Sequence, residues 1–365
     1  MKHIKTPQDI ADMARGAVFL GTGGGGDPYV GELFLLQQLE EGRSPMIVTA
    51  DDVADDAFVV SIAGVGAPTV LVEHLVSERT LLDLLARAEA FYGRKIDALI
   101  SAEIGGANSM FPLALGARAG IPVIDGDGMG RAFPHLEMTT FSIDGITATP
   151  TVMIDDLGNV ATVTTPNDRL AEDMLRALCN TLGAMVLGSF YSMSGKQMKQ
   201  SAVRDTITQT LEIGRCIRES RETCEDPVSG LMTYLNDPKR GRYARVLFDG
   251  KITDVTHETR DGWHWGAVSL QSMTDANDKM VVEIQNEYLA ARRNGKTAII
   301  VPDMISILDR ETAEPLTAEM LHYGLRVKVI GYSAVPELRT EKALKVCSPR
   351  QFGMNEDFLP LESLA

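Results

Sequence analysis

The sequence predicts an α/β protein: a three-layer domain with a mostly parallel sheet over residues 1–165, then a mostly β domain with helices over residues 166–365. Near-continuous apolar runs of strand length at 58–63, 98–100 and 121–124 alternate with amphipathic helical segments, the pattern of parallel strands covered on both faces. Each run empties into a glycine-rich or acidic loop, and after about residue 165 short β runs separated by turns take over.

Taken in order, Thr6-Pro7-Gln8-Asp9 opens the first helix with a hydroxyl cap, a proline at the first helical position and an acid at the third. Ile10, Met13, Ala14 and Ala17 follow at helical spacing, so this face packs inward. Past the loop Gly21-Thr22-Gly23-Gly24-Gly25-Gly26-Asp27-Pro28, a second helix carries Val30, Leu33, Leu36 and Leu39 and stops at Gly42. A short strand is expected at 46–48. The strand at 58–63 leads through Gly64-Val65-Gly66-Ala67-Pro68 to a helix with Leu81, Leu84, Leu85 and Ala88, ended by Gly93. The strand at 98–100 runs into Ser101-Ala102-Glu103-Ile104-Gly105-Gly106-Ala107-Asn108 and a helix ending at Gly120. The third strand runs into Asp125-Gly126-Asp127-Gly128-Met129-Gly130-Arg131.

Beyond these, strands at 147–154 and 160–164 flank a hairpin turn, and helices follow at 167–182 and 203–224. Asp249-Gly250 between β runs at 243–248 and 251–256 predicts a tight hairpin. With further short runs at 262–273, 280–286, 297–301, 304–309 and 325–330, the second domain is expected to be a small barrel or sandwich.

Composition narrows the partners. The chain has 50 acidic and 35 basic residues, a formal net charge of -15, and no basic patch to offset it, which argues against nucleic acid and anionic membrane as partners. No apolar run approaches spanning length. Four cysteines without a CxxC pair, and opening residues without an apolar leader core, give a cytoplasmic expectation. Homodimerisation through the β half is a further expectation.

The chemistry is expected where the strands end. Ligands of open α/β sheets sit outside the carboxyl ends of the strands, which would bring Glu103, Asp125 and Asp127 into one cleft. Successive bare N–H groups around Gly23, Gly24 and Gly25 can seat an anion or a ring. Asp27 stands where a phosphate-binding loop has lysine, which leaves a metal, a neutral polar ring or a turn-closing bond as its role. His135 and Glu137 follow the acidic loops, and with Glu103, Asp125 and Asp127 they form a candidate donor set for a divalent ion: zinc, manganese or magnesium. No HExxH or nucleophile-elbow pattern is present. Arg131 and Lys196 are expected to orient an anionic substrate group, or in the bland alternative to pair with Asp125 or Asp127 and to be a solvated helix-start charge.

The glycine loop at 21–28, the Glu103 to Asn108 loop and the Asp125 to Arg131 loop together resemble the S-methyl thiohydantoin desulfurase-like family, as do the Ser192-Met193-Ser194-Gly195 turn and the stretch from Pro302 to Gly331. The resemblance implies a three-layer α/β domain followed by a mostly β domain, and removal of sulfur from thiohydantoin rings with a metal. The expected activity is therefore metal-assisted hydrolysis of a small hydantoin- or thiohydantoin-like ring. Asp127, Glu103 and Asp125 are its candidate catalytic groups, and Gly23, Gly24, Gly25, Asp27, Asn108, Arg131 and Lys196 its candidate substrate contacts. The rival expectation is a non-catalytic partner or regulator of a hydantoinase- or oxoprolinase-type enzyme.

Overall fold

The computed structural model describes residues 4–66, 77–260 and 263–364. Ala67-Pro68, at the end of the first strand loop, lie outside them. In chain order the first strands are β1 (Ile47–Val48), β2 (Phe58–Gly66), β3 (Ala98–Ser101), β4 (Val123–Ile124), β5 (Gly126–Asp127), β6 (Thr151–Ile154), β7 (Val160–Val163), β8 (Met185–Ser194) and β9 (Val203–Arg204). Seven of them make one sheet in the order β1-β4-β3-β2-β8-β6-β7.

That sheet is mixed, where the sequence predicts a mostly parallel one. The pairs from β1 to β2 are parallel, but β8 runs antiparallel to β2, β6 to β8, and β7 to β6. Residues beyond 165 thus supply a central strand of the first sheet. The reason is length: β3 pairs with one edge of the nine-residue β2, and the long β8 runs along nearly the whole of the other.

Alternation along the strands sends side chains to two apolar layers. Val60, Ile62 and Leu99 pack with Leu84, Phe111 and Leu113, whereas Val59, Ile100 and Ala102 pack with Phe141, Leu175 and Met198. The helices concerned are α1 (Pro7–Gly21), α2 (Pro28–Glu40), α3 (Glu78–Tyr92) and α4 (Phe111–Ala119) on the first side, and α5 (Thr140–Ile143), α6 (Asp168–Thr181) and α7 (Gly195–Ser201) on the second. The expected capping box of α1 is present: Asp9 N donates to Thr6 Oγ1 and Thr6 N to Asp9 Oδ2. The helix expected at 203–224 loses its first residues to β9, which pairs with β5, and α8 (Thr206–Thr223) starts after Asp205 at φ 60°.

The second sheet holds eight antiparallel strands in the order β14-β13-β12-β11-β10-β17-β15-β16. These are β10 (Ala244–Arg260), β11 (Trp263–Ser272), β12 (Lys279–Gln285), β13 (Glu287–Arg293), β14 (Lys296–Ile300), β15 (Met304–Asp309), β16 (Pro315–Leu316) and β17 (Arg326–Tyr332). No closed barrel is found among the described strands. The predicted hairpin at Asp249-Gly250 is absent, because β10 runs straight through it. Asp249 and Gly250 pair with Lys328 and Val327 on one side, and Gly250 with Ser272 on the other, so neighbours on both edges hold the dipeptide extended. A Cβ at position 250 would come within 2.4 Å of Gln271 O, which accounts for glycine there without a turn.

Helix α1 joins the halves. Gly16 lies so close to α8 that a Cβ would be 1.9 Å from Thr210 O, and Phe19 meets Tyr332 of β17 with ring centroids 6.2 Å apart.

Candidate functional site

A cavity of about 100 Å³ lies at the carboxyl ends of β2 and β3, with Asn286 and Glu287, where β13 begins, also on its wall. A dry cavity of roughly 150 Å³ holds a benzene molecule, so this smaller space has room for only part of a ring unless its wall gives. Its walls mix apolar side chains, Ala63, Val65, Met129, Phe133, Leu136 and Phe190, with polar ones, Glu103, Asn108, His135, Glu172, Arg176 and Glu287 among them.

The glycine loop is a junction of the two halves. Thr22 takes φ 51° at the end of α1, and its carbonyl accepts from Tyr288 N at 2.7 Å, while Gly23 O accepts from Ala318 N at 3.1 Å. On the other side Gly25 O and Gly26 O accept from Asn108 N and Ala107 N, each at 3.3 Å. Packing at Gly23 and Gly24 leaves no room for a side chain: a Cβ would lie 2.7 Å from the Tyr288 ring at the first and 2.0 Å from Glu287 Oε1 at the second. Gly25 and Gly26 line the cavity; Gly23 and Gly24 stand behind it. Asp27 caps α2, its Oδ1 accepting from Tyr29 N at 2.8 Å, which is the turn-closing role of the three left open by the sequence.

Glu103 follows β3 directly and is buried on the cavity wall. Its Oε1 accepts from Asn108 Nδ2 at 2.7 Å and its Oε2 from Phe133 N at 3.3 Å. Burial pushes its carboxyl up to about 7, against the opposing pull of those two donors and of Arg131. Glu287 is also buried on the wall, and burial, with the charge of Glu103 adding to it, holds its carboxyl well above the usual range. His135 is held down to about 3 by burial, helped by Arg169 and Arg176, so its imidazole is neutral. Its ring lies 4.6 Å from that of Trp263.

The other expected groups go elsewhere. Asp125 does not join Glu103: its carboxylate accepts from Thr208 N at 3.0 Å and Thr208 Oγ1 at 2.5 Å, and it lines a separate, larger cleft with Lys199 and Arg204. Two residues further along, Asp127 is fully buried but folds back on its own turn, accepting from Met129 N at 2.9 Å and Gly130 N at 2.8 Å. Arg131 is a buried tie between the halves, donating to Thr22 Oγ1 at 3.0 Å and to Pro302 O at 2.6 Å while stacked 3.9 Å over Phe133. Glu137 turns to Arg169 at 3.2 Å. Lys196 is exposed at the opposite edge of the sheet, because antiparallel β8 delivers its carboxyl end beside Phe58, where β2 begins.

The five expected metal donors therefore do not converge, and among the described residues no three His, Cys, Asp or Glu side chains gather as a metal site. Glu287, Asn286 and Arg176 line the cavity without having been anticipated. A signal for Glu287 was present: an acid heading the apolar run Tyr288-Leu289-Ala290-Ala291 has to be buried with it.

A mixed α/β sheet whose strand ends share a small carboxyl-lined cavity with a β-rich half makes a candidate site built from both parts of the chain. The chain belongs to the S-Me-THD-like family, the S-methyl thiohydantoin desulfurase-like proteins: the family's N-terminal domain matches residues 8–165 and its C-terminal domain residues 166–361. A structural-genomics crystal structure of a protein from Chromobacterium violaceum has the same fold, with a TM-score of 0.83 over 99% of this chain and 100% of that chain at 23% identity. No curated protein matches the chain. No helix among the described residues is long and apolar enough to cross a membrane.

Proposed function

We propose that the protein hydrolyses a thiohydantoin-like five-membered ring at its thiocarbonyl carbon, with Glu103 moving the protons. One observation carries this reading: a buried carboxyl that burial pushes up to about 7 lines a small cavity at the strand ends. A proton-transfer group works best when its pKa is close to the working pH. As the ionised Glu103 takes one proton from water, the O–C bond forms at the ring carbon. The carboxyl then returns that proton to sulfur as the C–S bond breaks. The second water proton also passes to sulfur as the hydroxyl collapses to a carbonyl, so water and C=S become C=O and hydrogen sulfide.

Asn108 fixes which way Glu103 faces. Sulfide release from 2-thiohydantoin tests the reading. Wild-type protein should release it, and Glu103→Gln should lower the rate by about 10²–10⁴; an unchanged rate in the variant would remove Glu103 from the reaction.

A further inference from the structure

Three residues of the cavity wall lean on two neighbours at the head of β11. The Trp263 ring lies 4.6 Å from that of His135, centroid to centroid, and 4.0 Å from the guanidinium carbon of Arg176. His135 comes from the loop after β5 and Arg176 from α6, so one indole of the second sheet braces two elements far from it in sequence. Next along, His264 N donates to Asn286 Oδ1 at 2.8 Å and Asn286 N to His264 O at 2.7 Å. His135, Arg176 and Asn286 all line the cavity, whereas Trp263 and His264 are not among its lining residues.

The brace matters most for Arg176. Glu172 Oε1 accepts from its Nε at 3.1 Å and its Nη2 at 2.7 Å, which fixes one edge of the guanidinium. Trp263 covers one face, drawing on the negative face of the indole π-system. An arginine side chain has wide rotamer freedom when nothing holds it. Let go, it would be free to turn into a space already too small for a whole ring. Glu103 lies outside this brace, since its bonds come from Asn108 and Phe133.

We propose that Trp263 is a positioning residue of the cavity: it holds His135 and Arg176 in the wall the ring lies against, so it governs how tightly the ring binds and leaves the proton transfer at Glu103 alone. This rests on the ring-hydrolase reading of the same cavity. The second sheet thereby completes a site whose reacting group stands at a strand end of the first.

The test is calorimetric binding of 2-thiohydantoin to the full chain, with sulfide release followed separately against concentration and pH. Trp263→Ala should bind about tenfold more weakly and raise KM by a similar factor, with kcat within about threefold and the pH midpoint of the rate unmoved. Trp263→Leu, which fills space without a π-face, should show the same loss and gives the comparison should the alanine variant not fold. Trp263→Phe keeps an aromatic face, and Trp265→Phe changes a strand neighbour that lines a different cleft; each should stay within about threefold of wild type. Unchanged or tighter binding without the indole, an equal loss in Trp265→Phe, or a shifted pH midpoint would overturn the proposal. Ring binding by wild type without sulfide release would sink the hydrolase reading alone, and the affinities would still decide this one. Sulfide release whose KM is untouched in Trp263→Ala would sink this assignment alone, and neither binding nor release by wild type would sink both.

Discussion

Asn108 Nδ2 donates to Glu103 Oε1 at 2.7 Å, and the same carboxamide grips the end of β2, accepting from Gly64 N at 2.7 Å and donating to Gly64 O at 3.2 Å. One side chain thus sets both the carboxyl and the strand end that walls the cavity. Because the Asn108 bond opposes the upward push of burial on Glu103, Asn108→Ala should move the alkaline shift in the rate profile to higher pH. The measurement is sulfide release against pH. The expected result is a loss of about tenfold or more at neutral pH, partly recovered at pH 9.

Stability should fall as the medium becomes alkaline. Burial raises Glu103 from 4.5 and Asp127 from 3.8, each to about 7, so the fold binds protons that the unfolded chain has released. A raised carboxyl contributes stability that is fully present below its unfolded value and is lost as pH climbs through the folded value. The window is therefore about pH 4 to 7, and shifts of this size correspond to roughly 3–4 kcal/mol per group. Urea midpoints at pH 5 and pH 8 should show the drop, and Glu103→Gln should shrink it.

Asp127 separates a structural from a chemical role. Its two backbone donors belong to the turn that leads to Arg131, and the residue is absent from the cavity wall. Asp127→Asn replaces one accepting oxygen with a donor facing N–H groups, which should cost about 1–3 kcal/mol in denaturant unfolding. Turnover per folded molecule should change less than about threefold, far less than for Glu103→Gln.

The parallel strands, the helices between them and the Glu103 loop were legible because burial on two faces leaves unbroken apolar runs, and chain direction then fixes which loops share an edge. Two errors have one source, pairing partners far away in sequence. The Asp249-Gly250 turn signal is overridden by neighbours at 326–328 and at 272, and Lys196 is carried to the wrong edge by antiparallel β8. Spacing also hid the fates of Asp125 and Asp127. Side chains two apart in an extended segment do share a face, but Asp125 is claimed by Thr208 of α8 and Asp127 by its own turn. Glu287 escaped notice because it reaches the cavity from the other half of the chain.

Two neighbouring glycines offer a last contrast, since a methyl group at each meets a different kind of obstacle. At Gly24 the added Cβ would lie 2.0 Å from Glu287 Oε1, 2.6 Å from its Cδ and 2.8 Å from its Cγ, so a buried side chain rather than backbone has to shift. At Gly25 it would lie 2.3 Å from the Gly105 carbonyl carbon, which is backbone, and the residue has φ 84°, where a side chain is strained. Gly24→Ala should therefore fold, less stably than wild type, with the Glu287 carboxyl displaced from the cavity wall, weakening 2-thiohydantoin binding by about tenfold. Gly25→Ala should lose about 3 kcal/mol or more of unfolding free energy, because both the strain and the backbone clash must be relieved by parting the two loops. Calorimetric binding and urea unfolding on both variants check the pair. If Gly24→Ala binds the ring as wild type does, Glu287 is not held in place by that close contact.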